Sequence, residues 1–130
     1  MSAAGNGHLE IVKLLEENGA DINAKNKFEN TPLIWAALNG HLPVVKYLQA
    51  KGSNVTEKNR DGYNAIMGAS ATGHLNIVAF LYQKGADINS KNLYNDTSLI
   101  LAARNGHFPV VRYLLVSHLL WTDSFLKITS

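Results

Sequence analysis

The sequence repeats with a period of 33 residues, and this period constrains the fold more than any other feature. Gly-His followed by Leu or Phe marks it at Gly7-His8-Leu9, Gly40-His41-Leu42, Gly73-His74-Leu75 and Gly106-His107-Phe108. A second marker keeps the same step at Gly19-Ala20-Asp21-Ile22-Asn23, Gly52-Ser53-Asn54-Val55 and Gly85-Ala86-Asp87-Ile88-Asn89. Units that recur at such a period stack on one another, so the chain is predicted to form an open array.

Each period predicts two short helices and a turn. Thr31 offers an N-cap hydroxyl and Pro32 suits the first helical position, so the first helix of a repeat should begin there. Gly40 ends this helix, Pro43 opens the second helix, and Gly52 ends it. The segment between two repeats is rich in Asn, Asp and Lys, which is typical of turns. Helices this short are unstable alone, so each repeat must bury its apolar side against the next.

The motifs within one period resemble the ankyrin repeat, which has this length. They are Asn30-Thr31-Pro32-Leu33, Ala36-Ala37, Asn39-Gly40-His41, Val45-Lys46-Tyr47-Leu48 and the Gly-Ala-Asp-Ile-Asn segments, and the resemblance covers residues 1 to about 116. It implies an all-α solenoid of about four repeats. Antiparallel helix pairs would form its body, with β-hairpin or turn fingers projecting from them and a concave groove that binds other proteins.

The resemblance predicts a single ankyrin repeat domain over residues 1–130. A partial repeat is expected at 1–25, repeats at 26–58, 59–91 and 92–118, and an irregular apolar tail or cap at 119–130. The glycine expected at position 118 is His118, and the residues that follow are apolar without the repeat pattern. Terminal repeats usually present a polar outer face. The apolar ends therefore predict a capping helix, a place within a longer array, or self-association.

The chain departs from the ankyrin pattern at one position in every repeat. Where the family has a histidine before the paired alanines, this chain has Ile34, Met67 and Ile100, so apolar packing is expected to replace a polar network. The third repeat has Asn64 and Ala65 in place of Thr-Pro, and Gly68 lies inside its first helix. Glycine costs about 1 kcal/mol relative to alanine there. Residues 63–72 are therefore expected to form the least stable helix.

The sequence offers no residues for catalysis or for a cofactor. Cysteine is absent, and four of the five histidines recur at one repeat position, which indicates a structural role. No histidine pair has the i, i+4 spacing of a zinc site, and no phosphate loop or Gly-x-Ser-x-Gly motif occurs. We therefore expect no enzyme activity, no cofactor, no metal and no small-molecule substrate.

The charge of the chain is nearly balanced, because twelve Lys and Arg residues face ten Asp and Glu residues. A net charge of +2 does not by itself require a nucleic acid partner. No apolar run approaches the roughly 18 residues of a membrane span. We expect a cytoplasmic protein with no membrane partner, while a nuclear location or delivery into another cell stays open.

The resemblance also implies where a partner protein binds. In the ankyrin family, fingers and groove are formed by residues just before the Thr-Pro and just before the Gly-His. By position, the fingers hold Lys27, Phe28, Asn30, Arg60, Asp61, Tyr63, Leu93, Tyr94 and Asp96. The ends of the first helices contribute Leu38, Asn39, Ala71, Thr72, Arg104 and Asn105, and Trp35 fits either the groove floor or the core. Aromatic side chains dominate binding hot spots, which favours Phe28, Tyr63 and Tyr94 as anchors.

A row of lysines recurs at one repeat position, as Lys25, Lys58 and Lys91. At the spacing of packed helices, about 8–10 Å, the fields of these charges would partly add. The row predicts a partner protein with an acidic surface, and a merely solvated row is the alternative. RNA or another polyanion is a second, less favoured partner class. An architectural or oligomerisation role through the apolar ends is a third hypothesis.

Overall fold

The computed structural model describes the backbone of residues 1–129 and the side chains of residues 1–119. Its helices are α1 (Ser2–Gly5), α2 (Leu9–Glu17), α3 (Pro32–Leu38), α4 (Leu42–Ala50), α5 (Ala65–Thr72), α6 (Leu75–Gln83), α7 (Ser98–Arg104) and α8 (Phe108–Thr129). Each repeat therefore supplies one odd-numbered and one even-numbered helix.

The helices stack in two layers. The odd-numbered helices contact one another in chain order from α1 to α7, and the even-numbered helices do the same from α2 to α8. The two helices of each repeat also pack together. This arrangement confirms the predicted all-α solenoid. The projecting fingers are turns, since residues 1–129 contain no β-strand.

The first helix of each complete repeat begins at a side-chain cap. The three cap bonds run from Ile34 N to Thr31 Oγ1, from Met67 N to Asn64 Oδ1 and from Ile100 N to Thr97 Oγ1, over 3.1 to 3.3 Å. Asn64 thus replaces threonine without loss of the cap, because an amide oxygen accepts from the same backbone N–H. The departure of the third repeat from Thr-Pro leaves the start of its helix unchanged.

The recurring Gly-His pair is a contact between neighbouring repeats. The imidazoles of His41, His74 and His107 lie over Gly7, Gly40 and Gly73 of the repeat before. Gly40 has a φ of +83°, and a β-carbon added there would lie 2.6 Å from the His74 ring. The position requires glycine because the backbone is left-handed and because the ring needs the space. Glycine and histidine therefore recur together, because the glycine leaves the space that the imidazole of the next repeat fills.

Replacing Gly40 by alanine should destabilise the chain more than the same change at Gly52. Gly52 also has a positive φ of +96°, but a β-carbon there would meet nothing within 4 Å. Gly52→Ala should cost about 1–2 kcal/mol of unfolding free energy from backbone strain. Gly40→Ala should cost roughly 1–3 kcal/mol more, since His74 must move. Urea denaturation measures both values, and equal losses would contradict the assigned Gly–His contact.

The apolar core is a seam shared between repeats. Ile34 and Met67 are buried, so apolar packing takes the place of the family's histidine at these two positions, as predicted. Ile100, at the same position of the fourth repeat, is 41% exposed. No described residue packs over that side of α7 in the way that α5 covers α3 and α7 covers α5.

Gly68 lies in the middle of α5, whose residues 65–70 are all buried. The helix packs against α3 on one side and α7 on the other. This packing on two sides opposes the weak helix propensity of its sequence. The low stability expected for residues 63–72 stays a prediction.

Gly68→Ala should raise the unfolding free energy by about 1 kcal/mol, because alanine is the better helix former. The added β-carbon would lie 3.6 Å from the side chain of Leu38, which is an ordinary van der Waals contact. Thermal and urea unfolding measure the change. A loss of stability would show that the interface between α3 and α5 cannot accept one methyl group.

α8 continues past the point at which the other second helices end. α2, α4 and α6 have nine residues each, whereas α8 has 22. His118 stands where those helices are followed by glycine, and without this stop signal the helix continues. Residues 119–129, predicted as an irregular tail or cap, belong to this helix, while residue 130 and the side chains from 120 onward lie outside the described part. No helix in that part combines the length and apolar character that crossing a bilayer requires.

Candidate protein-binding surface

Three short turns form the fingers: finger 1 (residues 26–30), finger 2 (59–63) and finger 3 (92–96). In finger 2, Asn59 Oδ1 accepts hydrogen bonds from Asp61 N at 3.0 Å and from Tyr63 N at 2.9 Å. Asn26 and Asn92 hold the other two fingers in the same way. An asparagine that bonds to its own following backbone fixes the turn locally.

The backbones of neighbouring fingers are also bonded to each other. Arg60 N of finger 2 donates to Phe28 O of finger 1 at 3.0 Å. Leu93 N of finger 3 donates to Asp61 O of finger 2 at 3.0 Å. The three turns therefore form one connected row along the side of the helical stack.

Six side chains project from the tips of the fingers, and we call them the finger-tip surface. They are Lys27, Phe28, Arg60, Asp61, Leu93 and Tyr94, and all are exposed. The three large apolar members are between 51% and 71% exposed. Lys27 Nζ lies 5.1 Å from the centre of the Phe28 ring, and the Tyr94 hydroxyl donates to Asp61 Oδ1 at 3.5 Å. The surface therefore combines apolar side chains with charges of both signs.

The other three predicted finger residues lie at the base of the turns. Asn30 and Asp96 are buried, and Tyr63 is half-buried. Asn30 Oδ1 accepts a hydrogen bond from Asn59 Nδ2 at 2.8 Å, which joins fingers 1 and 2. Of these three side chains, Asn30 joins two fingers, and none is exposed as the six tip side chains are.

Asp96 and Arg104 form an ion pair with two hydrogen bonds. Arg104 Nη2 donates to Asp96 Oδ1 at 2.7 Å, and Arg104 Nη1 donates to Asp96 Oδ2 at 3.1 Å. These hydrogen bonds lower the pKa of the Asp96 carboxyl below its ordinary value, while burial opposes the shift. Both residues were predicted to bind a partner, and the structure directs their charged groups at each other.

The ends of the first helices were predicted to form part of the groove. Three of their polar side chains donate hydrogen bonds to backbone oxygens. Asn39 Nδ2 donates to Trp35 O, Thr72 Oγ1 to Gly68 O and Asn105 Nδ2 to Ala71 O, over 2.8 to 3.0 Å. Leu38 and Ala71 are half-buried. Each of these three polar side chains thus has a donor already bonded within the chain.

Trp35 is half-buried and packs against the first repeat. A β-carbon added at Gly5 would overlap the indole ring, so the ring lies directly over that glycine. The side chain therefore contributes to the packing of α3 on α1 while part of it remains accessible.

Two of the three lysines in the row are bonded to other groups of the chain. Lys25 Nζ lies 2.7 Å from Glu57 Oε1, and this hydrogen bond raises the pKa of Lys25. Lys58 Nζ donates to the backbone oxygen of Lys91 at 2.8 Å. The row therefore includes one compensated charge and one ammonium group bonded to its neighbour's backbone, and its three charges do not act as a uniform strip.

Sequence reasoning did not identify the asparagines that hold the finger turns, nor Glu57, which pairs with Lys25. Asn26, Asn59 and Asn92 recur one position after the lysines, and this regular spacing could have identified them as the residues that hold the turns. Glu57 gave no such signal, because the equivalent positions hold Ala24 and Ser90.

The described residues show no arrangement for metal binding. No group of three or more His, Cys, Asp or Glu side chains among them could hold a metal ion. His41, His74 and His107 pack on glycines, and His107 Nε2 lies 3.1 Å from Ala71 O. Their positions are those of packing residues.

Comparison with known families identified two matches. A family model described as ankyrin repeats in three copies matches residues 1–92, and one described as an ankyrin repeat matches residues 94–119. No curated protein matches the chain. Together the two matched ranges cover every residue of the three fingers except Leu93.

Replacing Arg104 by glutamine should lower stability at neutral pH and not at low pH. Because the pKa of Asp96 is lowered in the folded chain, its ion pair stabilises above the unfolded pKa of about 4 and is lost as the pH falls through the folded value. Urea denaturation from neutral to acidic pH should show the wild-type advantage shrinking below about pH 4. Arg112→Gln is the control, since Arg112 makes no ion pair among the described residues. A difference that does not change with pH would contradict this role of the pair.

Proposed function

Because this chain belongs to the ankyrin-repeat family, we propose that it is a non-catalytic module that binds a partner protein through its finger-tip surface. Ankyrin repeats are generally protein–protein interaction modules and are typically non-catalytic. The proposal goes further by assigning the contact to six side chains of this chain. The observation that carries it is the exposure of three large apolar side chains on turns that hydrogen bonds hold in place.

Preorganisation supports this assignment. The asparagine bonds within each finger and the backbone bonds between fingers keep the tips in one arrangement before any partner arrives. A surface that is already ordered loses little conformational freedom on binding, so more of the contact energy appears as affinity. The apolar surfaces of Phe28, Leu93 and the Tyr94 ring are exposed to water, and removing them from water when a partner covers them is favourable.

The chemistry of the finger-tip surface suggests a partner with apolar pockets and acidic groups. Phe28, Leu93 and Tyr94 need apolar cover. Lys27 and Arg60 on the same surface favour carboxylates, whereas Asp61 supplies one negative charge. The partner that we propose therefore has a mixed surface with an acidic part facing Lys27 and Arg60. Charges of this kind contribute to partner choice and association rate more than to affinity.

Groove residues supplement the fingers in this proposal. Exposed Asn39, Thr72 and Asn105 already bond to helix carbonyls, so we assign them to the polar rim of the interface. Leu38, Ala71 and Trp35 contribute their accessible apolar parts. Rim contacts exclude water and contribute little energy individually.

The double variant Phe28→Ala, Tyr94→Ala tests the proposal. A pull-down with the 130-residue chain followed by mass spectrometry identifies the partner, and calorimetric titration measures its affinity. We expect the double variant to bind at least roughly tenfold more weakly, because truncated aromatic anchors typically cost about 2 kcal/mol or more. Far-UV circular dichroism should be unchanged, since both side chains are exposed.

Phe108→Ala is the matched control. Phe108 is 71% exposed but lies at the start of α8, outside the finger-tip surface. It should leave the affinity unchanged. Wild-type affinity in the double variant, or an equal loss in Phe108→Ala, would refute the assignment to the finger tips.

A further inference from the structure

The second helices of the later repeats carry positive charge and no negative charge. In α4 and α6, in the residue after each of them, and in α8 up to residue 119, the Lys, Arg, Asp and Glu residues are Lys46, Lys51, Lys84 and Arg112. We call these four the second-helix cations. All four side chains are exposed, and none forms an ion pair with another side chain of residues 1–119. The even-numbered layer of the stack therefore presents uncompensated positive charge along three helices.

The acidic residues of the same repeats lie in the turns and fingers. Between residues 31 and 119 they are Glu57, Asp61, Asp87 and Asp96. Each already has a partner elsewhere: Glu57 and Asp96 form ion pairs with Lys25 and Arg104, and Asp61 accepts from the Tyr94 hydroxyl. Asp87 follows Lys84 by three residues, but its Oδ1 accepts from Asn89 N at 2.8 Å within its own turn. Positive and negative charge are thus separated between the second helices and the turns.

Two half-buried aromatic rings hold the three lysines among the second-helix cations. Lys46 Nζ and Lys84 Nζ lie 5.9 Å and 5.7 Å from the centre of the Phe80 ring, so one ring holds lysines from neighbouring repeats. Lys51 Nζ lies 5.7 Å from the centre of the Tyr47 ring. Attraction to a ring restricts a long side chain and leaves its charge in place. The ammonium groups are therefore ordered in advance and keep N–H donors for an anion.

The limits of this positive charge favour a short acidic segment over a nucleic acid. On the side of the first repeat it meets the carboxylates of α2, where Glu16 Oε2 accepts from the Tyr47 hydroxyl at 3.0 Å. Burial, and then the carboxylates of Glu16 and Glu17, raise the pKa of Tyr47. A nucleic acid carries an unbroken line of phosphates, which would run on against these carboxylates. A peptide segment can end with the cations, and about six extended residues span the roughly 16–20 Å from α4 to α8.

We propose that the second-helix cations bind a short acidic segment of a partner protein, which lies across α4, α6 and α8 with its carboxylates on Lys46, Lys84 and Arg112. Lys51 extends the same surface beside Tyr47. The site is on the helices and the finger-tip surface is on the turns, so the chain has two separate places for recognition. The proposal does not depend on what the finger-tip surface binds.

Fluorescence anisotropy with a labelled peptide of about eight glutamates, long enough to span the three helices, tests the proposal. The measurement is made at low ionic strength, where exposed charges are screened least. The double variant Lys46→Gln, Lys84→Gln should bind the peptide about three- to thirtyfold more weakly, because two exposed ion pairs are lost. Phe80→Leu keeps every charge and should still weaken binding about two- to fivefold, because both lysines lose the ring that orders them.

Lys58→Gln, Lys91→Gln is the matched control, because it removes the same charge from two exposed lysines in the turns. It should bind the peptide as the wild type does, and circular dichroism establishes that all variants are folded. An equal loss in this control would show that only net charge matters and would overturn the proposal. So would a wild-type chain that does not bind the peptide, or a Lys46→Gln, Lys84→Gln variant that binds it normally.

Two further outcomes test the chemistry of the site. A single-stranded oligonucleotide of the same charge should bind more weakly than the peptide, and equal or tighter binding would overturn the choice of a protein segment. Wild-type affinity in Phe80→Leu would overturn the role assigned to the ring. The double variant Phe28→Ala, Tyr94→Ala should bind the peptide normally, since the finger tips are a separate surface.

Discussion

Burial between neighbouring repeats is the interaction on which the rest of the structure depends. Leu48 in α4 is 1% exposed, whereas Leu15 at the same position of α2 is 45% exposed. The two leucines differ in whether a preceding repeat covers them, so the difference measures what one neighbour supplies. Full burial of a leucine side chain contributes about 1.5–3 kcal/mol. Each helix pair is therefore stabilised mainly by standing next to another, as expected of repeat proteins.

Much of the fold could be predicted because it depends on local chemistry that recurs. Thr31 and Pro32 placed the start of α3, and the glycines placed the helix ends to within two residues. The extension of α8 also follows from a local cause, the absence of glycine at His118. Contacts between unlike side chains could not be found in this way. The pairs Lys25–Glu57 and Asp96–Arg104 each occur in one place, so repetition in the sequence gives no sign of them.

The positions of the finger residues could also be predicted, because they recur from repeat to repeat. Repeat position identified the residues that belong to each finger, and six of the nine lie at the tips. It could not show which side chains turn inward, because that direction depends on partners elsewhere in the fold, such as Asn59 for Asn30 and Arg104 for Asp96. Asn30 points to the base since Asn59 of the neighbouring finger bonds to it. Equivalent tip positions also hold different chemistry, with Lys27, Arg60 and Leu93 on the same turn geometry. The scaffold thus leaves these positions free to suit a partner.

Dependence on neighbours also makes the ends of the stack the first parts to open. α1 has four residues and packs on α2 and α3, whereas α5 packs on α3, α6 and α7. Amide hydrogen exchange separates two effects: fast exchange at the end units reports missing neighbours, and fast exchange in α5 reports the weak helix propensity of its sequence. Finger 2 connects α4 to α5 and is bonded to a finger on each side. When an end unit frays, this central finger keeps a bonded neighbour, so the proposed binding surface is lost in steps and not all at once.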